Sequence, residues 1–266
     1  MTPPRARSHA PFPSAATRAE TVAELRRKLS RIEGLESIPA TLAFGLPALD
    51  RHLPQGGLAF GALHEIAPET EADLPAAFGF LIALLARAPP PAPLLVVLTP
   101  RGLARSGKPS GHGLNALGLD PARLLLVETR TETEALWATE EALRSGLPAA
   151  VASTLGARLD LKTSQRLQVA AREAGRLLLI LRPPAAEEAP TATTRWRIAS
   201  AESARDRFGL AVRWRWRATL ARCRNGRPGE WILEYDHVTH RFGLAAALAH
   251  HTLSDAGGPH ARRRAG

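Results

Sequence analysis

Along the chain, continuous apolar runs of strand length alternate with stretches whose apolar positions recur at helical spacing. Ala62 to Ile66, Leu94 to Thr99, Ala149 to Thr154 and Leu177 to Leu181 are almost wholly apolar, as expected of parallel strands covered on both faces. Ala149 to Thr154 is expected at the centre of the sheet. Between the runs, Asp73 to Ala88 reads as a helix buried on most sides, with Pro75 tolerated in its first turn, and the prolines between 89 and 93 end it. Leu114 to Leu126 reads as a short helix, a turn at Asp120-Pro121 and a strand through Val127. Thr131 to Ser145 is a helix with capping-box spacing between Thr131 and Glu134, stopped at Gly146. Leu161 to Ala174 is another, closed by Gly175. This alternation predicts an α/β fold with a mostly parallel central sheet flanked by helices.

The pattern changes after Arg195. R-W-R-I (195–198) and V-R-W-R-W-R-A-T-L (212–220) alternate strictly, which at strand period two puts Arg213, Arg215 and Arg217 on one face and Trp214 and Trp216 on the other. Asn225-Gly226 leads into a second run, Trp231 to Tyr235, and predicts a C-terminal antiparallel β-hairpin. Four segments follow from these boundaries. Residues 1–18, rich in Pro, Ala and Ser, read as a disordered tail. Residues 19–34 read as an amphipathic helix with Val22, Leu25, Leu29 and Ile32 on one face. Residues 40–243 form the main domain, and 244–266 a short helix and basic tail.

With 266 residues, 45% of them hydrophobic, the chain can bury one core of moderate size. The longest apolar run, Leu74 to Ala86, is ~20 Å as a helix and too short to span a bilayer. No apolar signal segment is visible at the N-terminus. Cys223 is the one cysteine, which leaves no internal disulfide and fits a reducing, cytoplasmic setting. The histidine pairs His237/His240 and His250/His251 lack further Cys, Asp or Glu to make a metal site. The net charge of +10 is carried by arginine, since only Lys28, Lys108 and Lys162 are lysines. From Arg195 to Arg227 ten arginines face only Glu202 and Asp206. A guanine- and cytosine-rich genome would enrich arginine everywhere; it does not explain this concentration. Two readings of the Arg-Trp strands stay open. The arginines are a solvated edge that resists strand-on-strand association, or they contact phosphate or an acidic partner.

The stretch from Phe44 to Leu74 resembles the RecA family. Leu49-Asp50, Gly56-Gly57-Leu58, Gly61, Glu65-Ile66 and Pro68-Glu69 match the family's approach to its phosphate-binding loop. The loop itself, Ala67 to Ala72, has lost the chemistry. Where the family has glycine, lysine and a hydroxyl residue, this chain has Ala72, Asp73 and Leu74. The lysine neutralises the outer phosphates and the hydroxyl holds Mg²⁺. Four acids (Glu65, Glu69, Glu71, Asp73) lie here with no Lys or Arg, against which a helix dipole offers an anion only ~1 kcal/mol. Ala67, Pro68, Glu69, Ala72, Asp73 and Leu74 therefore read as a degenerate P-loop with no cofactor. Pro100-Arg101 stands where the resemblance implies a water-activating glutamate, and Ser153-Thr154 where it implies a Mg²⁺-binding aspartate. A second match, Gly102 to Lys108, places Pro109 at the hydroxyl position and is followed by S-G-H-G, which does not read as a helix start. It is expected to be a solvated loop. The segments corresponding to the family's DNA-binding loops are Leu155 to Thr163 and Pro183 to Thr194. The second is proline-rich and net negative, so strand binding through it is not expected.

The hairpin resembles that of DnaB-type hexameric helicases, whose basic pair reaches a neighbour's nucleotide; Arg222 and Arg224 hold the corresponding positions. Taken together, A-L-D-R-H-L-P-Q-G-G-L (48–58), G-L-D-P-A-R-L-L-L-V (118–127), A-L-W-A-T-E-E-A-L-R-S-G (135–146) and R-C-R-N-G-R-P-G-E-W (222–231) resemble the ImuA family over roughly residues 20 to 243. The resemblance implies a RecA-like core and a non-catalytic role in the bacterial SOS response. It also implies an assembly for translesion synthesis with an ImuB-like inactive Y-family polymerase relative and an error-prone DnaE-type polymerase, in the cytoplasm and on the nucleoid under damage. DNA or RecA is a further partner to test. The residues expected to meet a partner or nucleic acid are Arg195, Arg197, Arg213, Arg215, Arg217, Arg222, Arg224 and Arg227. Two alternatives are a SulA-like inhibitor of cell division and an ATP-dependent recombinase with a divergent site.

Overall fold

A computed structural model describes residues 41–100, 107–156, 159–186, 189, 191–203, 208 and 213–245. The tail (1–18), the amphipathic helix (19–34), most of the second G-x-x-x-x-G-K match, and residues 246–266 lie outside them.

Nine strands form one sheet. In chain order they are β3 (Leu63–Pro68), β4 (Leu94–Leu98), β5 (Leu124–Glu128), β6 (Ala150–Thr154), β7 (Leu177–Leu181), β8 (Thr194–Ser200), β9 (Trp214–Cys223), β10 (Gly229–Asp236) and β11 (Arg241–Leu244). Across the sheet the order is β11-β10-β9-β8-β3-β7-β6-β4-β5. The six strands from β8 to β5 are parallel, and β9, β10 and β11 continue the sheet antiparallel from β8. The expected hairpin is thus part of a three-stranded meander, and Leu244 ends its last strand opposite Leu233. The strand at the middle of the sheet is β3, not β6.

The helices explain the two sequence patterns. Helix α2 (Leu74–Ala86) lies on one face, with Leu74, Ala77 and the run from Phe80 to Leu85 all buried. Helices α4 (Glu132–Ser145) and α5 (Leu161–Ala174) lie on the other, over a second core of Val97, Val151, Leu178 and Ile180. Strands between the two layers can be apolar at every position, and β6 and β7 are buried throughout. Among the described residues the meander has apolar cover on the α2 side only. There Trp196, Trp216, Tyr235 and Phe242 gather around Phe44 and Phe80. Each such buried side chain contributes about 1.5–3 kcal/mol. Its other face carries Arg213, Arg215, Arg217 and their β10 neighbours, hence the strict alternation.

Ahead of β3, a two-stranded ribbon of β1 (Thr41–Leu42) and β2 (Leu58–Ala59) brackets the short helix α1 (Pro47–Asp50). Asp50 accepts the backbone N–H groups of Phe44 and Leu46, both at 2.8 Å, and so closes this loop. A Cβ on Gly57 would lie 2.8 Å from the Leu42 carbonyl group, so the close pass of β1 demands glycine there.

The short helix expected from Leu114 starts earlier. Helix α3 (Gly111–Ala116) opens with the Gly-His-Gly that had seemed unfit for a helix start, because Ser110 caps it: its Oγ accepts the N–H of Gly113. A good N-cap outweighs glycine's entropic cost in so short a helix.

Candidate functional site

The parallel strands deliver their C-terminal ends to one edge of the sheet, where α/β proteins bind ligands. Residues Ala67 and Pro68, expected in the loop, still belong to β3. What remains is Glu69, Thr70 and one 3₁₀ turn, Glu71–Asp73, leading directly into α2. The loop's polar groups are turned inward. Glu69 N–H donates to Ile198 O at 2.9 Å. The Asp73 carboxylate accepts the Thr70 N–H at 3.1 Å and the Thr70 hydroxyl at 2.7 Å, and its other oxygen accepts the N–H of Ser200 at 2.8 Å. Partial burial alone would raise this carboxyl, but the donors of Ser200 and Thr70 outweigh it and hold it below the usual carboxylate range. These donors of the loop and of β8 are thus taken up by a carboxylate of the chain itself.

The neighbouring strand ends carry hydroxyls. Thr99 N–H donates to Thr154 Oγ1 at 3.1 Å and Thr99 Oγ1 donates to Thr154 O at 2.9 Å, with both residues buried. Within β3, Glu65 is fully buried and accepts the Ala189 N–H at 2.9 Å, anchoring the loop that follows β7. His64 is equally buried. Its Nε2 lies 2.9 Å from Ala59 O and must donate; its Nδ1 accepts from the Thr194 hydroxyl at 2.8 Å, which accepts Trp196 Nε1–H at 3.1 Å. Desolvation lowers the His64 pKa to about 4, so the ring is neutral. Among the described residues no group of three His, Cys, Asp or Glu is placed to hold a metal.

The eight candidate arginines divide by environment. Arg195 is buried and donates to Ala186 O at 3.0 Å; Arg197 donates to Pro184 O at 2.7 Å. Both face inward, holding the loop after β7. Arg215 is buried in a forked ion pair with Glu234, its register partner on β10. Arg213 reaches Glu234 at 3.2 Å and Asp236 at 3.9 Å. Desolvation would raise the Glu234 carboxyl, but the two guanidiniums outweigh it and keep it below its ordinary value. Two of the three aligned arginines are thereby paired across the strand, Arg215 with a partner 19 residues away. Arg217, Arg224 and Arg227 are exposed and Arg222 is half-buried. Trp216 fills the core; Trp214 is 40% exposed and stacks on Tyr235 at 6.3 Å.

The turn between β9 and β10 docks on α1. Arg227 N–H donates to His52 O at 2.9 Å, and His52 Nδ1 lies 3.1 Å from Pro228 O. Trp231 meets the His52 ring edge-on at 5.0 Å. This contact places Arg51 and Arg227 on the walls of one cleft, a relation that no local pattern could disclose. Cys223 lies close by, and burial pushes its thiol up to about 11, so it is no nucleophile at neutral pH.

No family model matches the chain. It is 37% identical over 250 residues to Protein ImuA from each of two strains of Caulobacter vibrioides, covering 84% of this chain and 96% of the relative. The chain belongs to the ImuA family. Of the segments that carried the family resemblance, 48–58 spans α1, the glycine turn and the start of β2. The segment 118–127 forms β5 and the turn before it, 135–146 is most of α4, and 222–231 is the docked turn. In this ImuA-family chain two of these segments meet, the one that holds α1 and the one that forms the hairpin turn. No helix among the described residues is long and apolar enough to cross a membrane.

Proposed function

We propose that this chain is a non-catalytic, RecA-like accessory protein of a damage-induced translesion-synthesis assembly, binding an ImuB-like Y-family polymerase relative and an error-prone DnaE-type polymerase. The carrying observation is Asp73, whose carboxylate takes up the loop donors and the Ser200 N–H where a nucleotide phosphate would have to sit. A RecA-like core is supported by the loop-bearing β3 in mid-sheet, with the ends of β4 and β6 on the same edge. Thr99 and Thr154 there, buried and bonded to each other, supply no carboxylate to activate water or bind Mg²⁺. The exposed arginines of the meander, Arg217, Arg224 and Arg227, offer charge to a partner.

The test is twofold. Calorimetric titration of the full chain with Mg-ATP is expected to give no binding, and pull-down with the two purified polymerase partners is expected to retain both. Tight Mg-ATP binding would overturn the non-catalytic reading. Loss of both partners, with damage-induced mutation unchanged on gene deletion, would overturn the assembly.

A further inference from the structure

The docked turn leaves a cleft of about 720 Å³ lined by Arg51, His52, Leu53, Asn225, Gly226 and Arg227. Its walls come from two elements held at fixed separation. Arg227 N–H is bonded to His52 O, and His52 Nδ1 is fastened to the carbonyl oxygens of Arg227 and Pro228. The packing allows little slack, since a Cβ on Gly226 would lie 2.4 Å from His52 O and 2.4 Å from Cys223 Sγ. Asn225, at φ 62°, sits in the left-handed region that the turn demands and gives the cleft an amide.

The charge in this cleft is of one sign. No carboxylate lines it. The acids nearest in sequence are turned elsewhere: Asp50 onto the N–H groups of Phe44 and Leu46, and Glu230 onto the Thr219 hydroxyl at 3.0 Å. Arg213 and Arg215, at the far end of β9, are balanced by Glu234 and Asp236. Arg51, Arg224 and Arg227, like Arg217, hold no ion pair among the described residues. Two guanidiniums and an amide without a counter-charge match phosphate oxygens, which accept forked N–H pairs. A protein partner would look for an apolar or aromatic anchor, and none is available: Leu53 is buried and Trp231 is engaged by His52.

We propose that the cleft between α1 and the β9–β10 turn is a phosphodiester site that grips the backbone of single-stranded DNA, with Arg51 and Arg227 as its paired cations and Asn225 as a neutral donor. The site reads charge and spacing, not base sequence. It stands on this geometry alone and does not depend on the polymerase assembly.

The experiment is fluorescence anisotropy of the full chain with a labelled oligothymidylate over a salt series. The Arg51→Ala/Arg227→Ala double variant is expected to bind at least about tenfold more weakly. The magnitude of its log–log salt slope should fall by about 1.4, or about 0.7 for each lost single-strand contact. An Arg130→Ala/Arg172→Ala variant, which removes the same charge from other exposed positions, is expected to bind like the parent. Matching melting temperatures would show that all three proteins fold. Absence of binding by the parent, or equal losses in both variants, would overturn the site. So would displacement of the oligonucleotide by poly-glutamate at equal charge, which would assign the cleft to an acidic protein segment. Displacement by millimolar inorganic phosphate would assign it to the free ion and overturn the backbone reading. If the variant loses DNA but keeps the polymerase partners, both proposals stand; loss of partners alone sinks only the assembly.

Discussion

The Asp73 carboxylate accepts the N–H of Ser200 at 2.8 Å and so ties the loop after β3 to the end of β8, the strand beside it. The same carboxylate closes a capping box with Thr70. Asp73→Ala removes both links, and loss of such a cap costs about 1 kcal/mol. We expect a melting temperature lower by about 2–4 °C. Calorimetry with Mg-ATP should remain silent, because Ala72 and Leu74 still supply neither glycine nor hydroxyl. Nucleotide uptake by this variant would mean that Asp73 alone bars the site.

Glu234 pairs with Arg215 inside the sheet and with Arg213 at its rim. Removing one member of a buried pair strands the other charge, at a cost of about 3 kcal/mol. Glu234→Ala should therefore lower the urea midpoint well beyond any exposed glutamate, such as Glu141→Ala. A change under about 1 kcal/mol would show that Arg215 finds water instead.

Acid should weaken the fold in two stages. His64 drops from an ordinary 6.5 to about 4 in the native state, through desolvation. Between those values the unfolded chain binds a proton that the native chain refuses, so stability is full above pH 6.5 and falls as pH drops towards 4. The loss is of order 3 kcal/mol at one pKa unit per 1.4 kcal/mol. Asp73, whose native pKa is lowered, adds a further loss only below its ordinary 3.8. Urea titrations at stepped pH should show the first stage in the parent and a flattened profile in His64→Gln.

Gly226 has no room for a methyl group against His52 O and Cys223 Sγ. Gly226→Ala should lift the turn from α1, with a cost of about 1–3 kcal/mol from overpacking. It should also separate Arg51 from Arg227, so oligonucleotide binding weakens although no charge is lost. Unchanged binding in a destabilised variant would separate the dock from the cleft.

Much of this fold is written locally. Leu94 to Leu98 and Leu177 to Leu181 declare a sheet covered on both sides, and Gly146 and Gly175 stop their helices at positive φ as expected. The Asn225-Gly226 turn likewise falls where its dipeptide puts it. What was not legible depends on distance along the chain. The Arg-Trp alternation shows which residues share a face, but not that Glu234 lies opposite Arg215; that needs the register of β10. Arg195 looks like an exposed cation until the loop after β7 folds over it and accepts its guanidinium at Ala186 O. The start of helix α3 was not legible, because Gly111 and Gly113 disfavour a helix that the single cap at Ser110 restores. The loop after β3 proved shorter than its resemblance implied because Ala67 and Pro68 keep pairing with β8.

Strand β8 has a hereditary corollary. It is hydrogen-bonded to β3 on one flank and to β9 on the other, and its Trp196 sits at the heart of the aromatic cluster. A stop codon or frameshift as late as residue 193 would therefore do more than trim an appendage. It would bare the middle strand and empty the cluster, and such alleles should score as complete losses of the gene.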